Sequence, residues 1–298
     1  MLRNGIPTLC SNIYSYETIS KEANLDLCCD TTSEWVEKTF ELIHSIELRK
    51  KVSERGLSYI NKNYGVIYNL DSIGYSSQDS LPIFAVKLSA NVNESEPKPK
   101  VLILGQCHAE EIYGVEIAME IINQFLHPDQ YSNNRPYLQR GLADSELWIV
   151  PTYNPEGLRV VHGYFEDGNE IQDVTYRKNK RDTDDDGIFD YENGIGQDTD
   201  GVDLNRNYDF NWVFGDTLLE PCTGDCSYAD DYDYYRGEYP ESESETKAIV
   251  TLAREQNFLL SLAYHSSRSG RVDKNVVYPW AWEGKSTIVE SPGFDIIS

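Results

Sequence analysis

Basic residues are scarce in this chain: 26 Lys and Arg stand against 50 Asp and Glu, a formal charge of −24. That balance disfavours nucleic acid and anionic membrane surfaces as partners. Long apolar runs are also missing, so no stretch reads as a bilayer span. Met1-Leu-Arg-Asn-Gly is not followed by an apolar core. No signal peptide is read there, and either the protein stays inside or its true start lies upstream. Six cysteines are too few for a disulfide scaffold in 298 residues. Cys222 and Cys226 are spaced for a local bridge, whereas Cys10, Cys28, Cys29 and Cys107 read as free thiols. Histidine is rarer still, at five residues.

What is present is an α/β pattern. Apolar content of 40% suffices for a core, and 298 residues allow one large domain or two smaller ones. Residues 1–63 read as a helical extension, with Trp35, Phe40 and Ile43 on one helix face and Val52, Leu57 and Ile60 on another. From Val66 short strands alternate with helical spacing. Ile83–Leu88, Val101–Leu104, Leu147–Val150 and Phe258–Ala263 are the apolar strands, the last expected to be buried. Helical periodicity covers 112–126, and Ser242-Glu-Ser-Glu245 has the form of a capping box opening a helix that ends near Asn257. About half of the 50 carboxylates fall between Glu166 and Glu245. That region is either a solvated surface or a cation-binding one.

Two strands end in chemistry. Val101–Leu104 leads to His108 and Glu111, and Phe258–Ala263 leads to His265. Open α/β sheets hold their ligands at the carboxyl ends of strands. Parallel neighbours would bring these three side chains to one edge, and two His with one Glu form the open zinc set that leaves a fourth position for water. His44 and Glu47 share the His-to-Glu spacing, but they lie inside a helical pattern with no strand before them. Between the strands, Asn205-Arg206 suits recognition of a carboxylate, and Tyr176-Arg177-Lys-Asn-Lys180-Arg181 concentrates positive charge. The basic run either balances neighbouring Asp or clamps an anionic substrate end and a developing oxyanion.

The motifs Gly105 to Glu111, Asn154-Pro-Glu-Gly157, Arg177-Lys-Asn, Gly201-Val-Asp-Leu-Asn-Arg-Asn207, Gly237-Glu-Tyr-Pro-Glu-Ser-Glu-Ser-Glu-Thr246, His265-Ser266 and Tyr278-Pro279 occur in one order. Together they resemble the zinc carboxypeptidases of the M14, carboxypeptidase A-like type, over residues 66 to 298. The resemblance implies a three-layer α/β/α fold with a mixed, mostly parallel sheet of roughly eight strands. It implies His108, Glu111 and His265 as zinc ligands, Asn205 and Arg206 as holders of a terminal carboxylate, and Arg177 and Ser266 as further substrate contacts. Three departures accompany it. The family's oxyanion arginine falls at Lys180, with Arg181 beside it. Its general-base Glu and covering Tyr are expected beyond Ser298, as is the residue that sets side-chain preference.

Within the segment 182–200, Asp182, Asp184, Asp186 and Asp190 are spaced around Gly187 like an EF-hand calcium loop, with Asn193 where the twelfth-position Glu belongs and Glu192 one place early. A solvated acidic loop is the alternative. At the start of the chain, Gly5-Ile-Pro-Thr, Glu17, Glu34-Trp35 and Leu48-Arg-Lys-Lys resemble the carboxyl tail of a GT-B glycosyltransferase, without the rest of a donor site. The expected function is a zinc metallocarboxypeptidase-type hydrolase acting on peptide C-termini, impaired if the base is missing. A peptidoglycan or amide hydrolase on the same scaffold and a non-catalytic zinc- and calcium-binding module are the alternatives.

Overall fold

A computed structural model describes residues 9–11, 20–21, 23–26, 28–64, 67–166, 168–190, 199–209, 212 and 234–266. Strands β1 (Cys10–Ser11) and β2 (Cys28–Cys29) pair in parallel ahead of helices α1 (Thr32–His44) and α2 (Ile46–Tyr64). Strands β3 (Tyr68–Tyr75), β4 (Pro82–Leu88) and β5 (Lys100–Gln106) follow. Helices α3 (Tyr113–Leu126) and α4 (Arg135–Asp144) then lead to β6 (Glu146–Thr152) and α5 (Pro155–His162). A small hairpin, β7 (Tyr164–Glu166) and β8 (Asn169–Ile171), precedes the acidic segment. Helix α6 (Ser244–Gln256) and strand β9 (Leu260–Ala263) close the described chain.

Five strands form one sheet in the order β3-β4-β6-β5-β9. The six residues between β3 and β4 close on themselves through the Ser76 N–H and the Leu81 carbonyl, 2.8 Å apart, as a hairpin turn does. By contrast β5 and β9 run parallel, with Val101 opposite Leu260 and Leu104 opposite Ala263. The sheet is therefore mixed. Strand β5 has both faces covered, as its unbroken apolar run requires. Leu102 and Leu104 pack with Trp148, Val150, Ala248, Ile249 and Leu252, so α6 covers that face. On the other face, α3 crosses at Gly114, against Gly105.

That crossing leaves no room for a side chain. A Cβ on Gly105 would lie 2.1 Å from the Pro151 carbonyl oxygen and 2.8 Å from that of Gly114. Backbone cannot yield as a flexible side chain can, so Gly105→Ala is expected to cost about 3 kcal/mol, the upper end for overpacking. Urea unfolding of the variant beside the parent measures it.

Two compact units divide the chain, one of Met1–Leu70, Val86–Lys98 and Gln124–Glu146, the other of Asp71–Ala85, Pro99–Asn123 and Leu147–Ser298. In the first, α1 starts from a capping box. The Thr31 hydroxyl accepts from the Glu34 N–H at 3.2 Å, and the Glu34 carboxylate accepts from the Thr31 N–H at 2.9 Å. No residue of α1 is buried, and Val36, Phe40 and Ile43 lie open on its surface. His44 Nδ1 sits 2.8 Å from the Phe40 carbonyl of its own helix, which separates it from the other His-to-Glu pair.

The second unit holds the sheet's core and two departures from the sequence reading. Strand β9 is not buried: Leu260 and Leu262 are 59% and 42% exposed. Its place at the end of the sheet order gives it one neighbour, β5, among the described residues. The Ser242–Glu245 capping box does not form either, because the N-cap of α6 is Glu243 and makes no side-chain cap. Ser242 Oγ instead donates to Glu243 at 2.9 Å and accepts from Asn207 at 2.7 Å, while Glu245 turns to Ser77. The other end is as expected, since Asn257 adopts a left-handed φ of 52° and stops the helix.

Glu245, fully buried, takes the Ser77 N–H at 3.1 Å. Burial pushes its pKa up to about 7, with Glu156 and Glu243 adding repulsion against the stabilising Ser77 hydroxyl. A raised carboxylate costs nothing below the unfolded value of 4.5, where both states are protonated. Its cost grows as pH climbs from there and is complete above about 7, amounting to about 3 kcal/mol. Glu245→Gln is therefore expected to gain up to about that much stability at pH 8 and almost none at pH 4.5. Denaturant midpoints at the two pH values decide it.

Candidate metal centre

The loop leaving β5 carries His108 and Glu111, and the chain leaving β9 carries Tyr264, His265 and Ser266. Parallel pairing sends both loops from the same end of the sheet, and the Tyr264 N–H extends the ladder to the Leu104 carbonyl at 2.9 Å. Several bonds pin the first loop. The Gln106 amide donates to the Ala109 carbonyl at 2.7 Å, and the Ala109 N–H to the Arg177 carbonyl at 2.9 Å. Asn154, fully buried, caps α5 by accepting from the Gly157 N–H. Its Nδ2 donates to the Cys107 and Lys178 carbonyls at 2.9 and 3.0 Å. The Asn-Pro-Glu-Gly motif thus sets the backbone on either side of the site.

Glu111 stands between two imidazoles. Its Oε1 is 3.0 Å from His108 Nδ1, and its Oε2 is 2.8 Å from His265 Nδ1. The Ser266 N–H also reaches Oε2, at 3.2 Å. The His ring centroids lie 5.0 Å apart. One donor atom from each of the three residues falls within 4.8 Å of the others. Donors around a tetrahedral zinc at about 2.1 Å sit roughly 3.3 Å from each other, so the spacing fits such an ion. His108 supplies the sharper test. It is 3% exposed, yet its Nδ1 makes no hydrogen bond despite the short approach to Glu111. A buried lone pair aimed at a carboxylate and a second imidazole is what a cation would satisfy.

Behind His108, its Nε2 lies 3.1 Å from Asp203 Oδ1. A carboxylate on the far nitrogen fixes the ring and makes the near nitrogen a better ligand. Asp203 is fully buried and also takes Arg177 Nε at 3.2 Å. Without a metal the excess of carboxylates holds protons. Burial opposes the imidazolium of His108, but Asp203 and Glu111 outweigh it and raise the pKa to about 9. Burial likewise opposes the Glu111 carboxylate, and the adjacent His108 and His265 imidazoles bring it down to about 2. Asp203 is held well below the usual carboxylate range against its burial, by His108 and Arg177.

The basic residues of the sequence separate in space. Arg177 joins the cluster: its guanidinium lies 3.3 Å from Glu110, 3.4 Å from Glu111 and 3.0 Å from His108 Nε2. Arg206 lies close by, since its guanidinium and that of Arg177 stand 5.8 and 5.6 Å from the Tyr234 ring. Asn205, in the same 3-10 turn (Leu204–Arg206), is exposed. Lys180 and Arg181, expected at the oxyanion, are turned elsewhere. Lys180 is 3% exposed and paired with Glu166 at 2.7 Å and Asp79 at 3.3 Å, and Arg181 reaches Asp185. The Lys180 side chain is held between Glu166 of β7 and Asp79 of the turn between β3 and β4.

Asp203 has no role in the sequence reading. The signal for it was available: a carboxylate between Val202 and Leu204, both buried, needs a buried partner. Cys28, Cys29 and Cys107 are free thiols, as expected. The Cys222–Cys226 pair, Glu17, Glu192, Asn193 and Tyr278-Pro279 lie outside the described residues, and the side chain of Cys10 does too. No helix among the described residues is long and apolar enough to cross a membrane.

An α/β sheet here delivers two imidazoles and a carboxylate to one point, an arrangement that could hold a single metal ion. The family model described as zinc carboxypeptidase, Peptidase_M14, matches residues 54–294, and the chain belongs to that family. It is 27% identical over 237 residues to carboxypeptidase B of Helicoverpa zea, covering 78% of this chain and 46% of that protein. It is 26% identical over 204 residues to the inactive metallocarboxypeptidase ecm14 of Talaromyces marneffei, covering 65% of this chain and 27% of that one. The chain thus spans less than half the length of these relatives. The crystal structure of carboxypeptidase A from Helicoverpa armigera shares the fold, with a TM-score of 0.51 at 20% identity over 85% of this chain and 58% of that chain.

Proposed function

We propose that the chain binds one zinc ion through His108, Glu111 and His265 and acts as a metallocarboxypeptidase, removing C-terminal residues from peptides. The convergence of the buried His108 Nδ1 with Glu111, 3.0 Å away, and His265 is the observation that carries this reading. When bound, zinc polarises a carbonyl and draws the pKa of a water towards neutrality. Asn205 and Arg206 receive the substrate's terminal carboxylate, the latter through its planar fork. Arg177, rather than Lys180 or Arg181, faces the developing oxyanion. With Nδ1 given to the metal, His108 Nε2 carries a proton and donates it to Asp203. The Arg177 guanidinium, 3.0 Å from that nitrogen and 3.4 Å from Glu111, stands beside the metal ligands, where such charge develops. Ser266 orients Glu111 through its backbone N–H. Residues 66–298 form the catalytic region with an insertion at 182–200, and residues 1–63 form an extension whose glycosyltransferase-like tail transfers no sugar.

A blocked dipeptide with a free terminal carboxylate, compared with its terminal amide, tests the substrate class. Zinc-loaded protein should hydrolyse the acid alone, lose activity with a chelator and regain it with zinc. Equal cleavage of the amide would assign an amide hydrolase instead. Stoichiometric zinc with no cleavage of either would favour the non-catalytic module, a reading supported by the inactive relative.

A further inference from the structure

A second gathering of carboxylates stands apart from the His–Glu site. Asp182, Asp184 and Asp200 each place one oxygen within 4.8 Å of the others, a grouping in which residues 182 and 184 are joined by one from the far end of the segment. Asp200 binds both ends of the acidic loop. Its Oδ1 takes the Thr183 N–H and hydroxyl at 2.9 and 2.8 Å, and its Oδ2 takes the Asp190 N–H at 2.8 Å. Asp182 Oδ2 accepts from the Gly187 N–H at 2.8 Å. The other oxygen, Asp182 Oδ1, is buried and has no hydrogen-bond partner among the described residues, on a side chain whose residue is 7% exposed.

Among the described residues no ion pair offsets this charge. Arg181 pairs with Asp185, Lys180 pairs with Asp79 and Glu166, and no Lys or Arg among the described residues pairs with any of the three. At Asp184 the Asp186 N–H favours the carboxylate, yet the neighbouring Asp186, Asp200 and Asp182 outweigh it and raise its pKa. Against its burial, the loop's N–H groups favour the Asp182 carboxylate and lower its pKa, yet one of its buried oxygens stays without a hydrogen bond among the described residues, a place that a cation would satisfy.

We propose that Asp182, Asp184 and Asp200 bind a calcium ion. All three ligands are hard carboxylate oxygens without His or Cys, which disfavours zinc. Their loose spacing suits an ion that accepts irregular oxygen sets at about 2.3–2.6 Å better than magnesium, which demands a tight octahedron. The ligand set differs from the EF-hand order. Asp186 and Asp190 fall in an overlapping, fully exposed group that shares Asp184. By holding Asp200, the ion fixes the chain three residues before Asp203, so its structural effect reaches the partner of His108.

The full zinc-loaded chain, titrated with calcium chloride and followed by calorimetry and thermal unfolding, tests this. Saturable binding near about 10⁻⁴ M is expected, with Tm rising by about 5 °C at saturation and zinc content unchanged. Asp182→Asn and Asp200→Asn should each lose the calcium response. Asp200→Asn keeps an acceptor for Thr183 and loses the one for the Asp190 N–H, so its calcium-free Tm should fall slightly below the parent, and the calcium-induced shift is the readout. Asp185→Asn, paired outside the triad, should respond like the parent, and so should Glu111→Ala, which keeps this outcome separate from that of the zinc reading. No calcium response in the parent, a full response in Asp200→Asn, or an equal response to magnesium would overturn the assignment.

Discussion

Glu111→Ala is expected to yield a folded protein without zinc, its metal content by atomic emission falling from one per chain to background. Among the described residues Glu111 is the carboxylate that approaches both imidazoles, at 3.0 and 2.8 Å. Without it the ion meets two neutral rings and no compensating charge. Loss of an outer partner such as Asp203 lowers metal affinity by about 10–100-fold, and loss of a direct ligand should exceed that range. Ala also removes the acceptor of the Ser266 N–H, so a parallel Glu111→Gln variant separates charge from shape. Gln keeps an oxygen for Ser266 but cannot neutralise a dication. Both variants should lose zinc while their circular dichroism stays that of the parent. Full zinc occupancy in either would remove Glu111 from the ligand set and the proposed hydrolase with it.

The grouping of His108, Glu111 and His265 was legible because its grammar is local and repeated: two apolar strands, each ending in a side chain of a type that metals accept. Parallel pairing of β5 with β9 then follows from the same apolar runs. Residues that act through long-range partners were not legible. Asp203 looks like any acid in an acidic chain until His108, 95 positions away, is placed against it. Asp200 was missed in the same way, since an EF-hand template searches consecutive alternate positions and cannot find a ligand that returns from beyond the loop. The Ser242 capping box failed for a related reason. Local spacing offered Glu245 to Ser242, but the tertiary fold offered it Ser77, and the buried partner prevailed. Lys180 shows the limit of reading charge in runs, because neighbours in sequence meet different partners in the fold and Arg177 and Lys180 end in different networks.

Arg177→Ala separates the two roles open to that residue. As an oxyanion donor, Arg177 acts where charge develops, so its loss should lower kcat by about 10²–10³-fold with KM little changed. As a contact for bound substrate, which is how the sequence alone presents it, the loss should instead raise KM and spare kcat. Geometry favours the first outcome. The guanidinium lies within 3.4 Å of Glu111 and 3.0 Å of His108, at the metal ligands themselves, whereas Arg206 has no such contact. Two further measurements guard the result. Zinc content must persist in the variant, because Arg177 also balances the buried Asp203 carboxylate and its removal strains the partner of His108. Arg177→Lys should recover only part of kcat, since a single ammonium cannot hold Asp203 and face the substrate oxygen together, as the fork of Arg177 can. Lys180, bound to Glu166 and Asp79, should tolerate Lys180→Met with a cost in stability and little in kcat. A collapse of kcat at Lys180 with Arg177→Ala near parent activity would return the oxyanion to the position that sequence alone assigns.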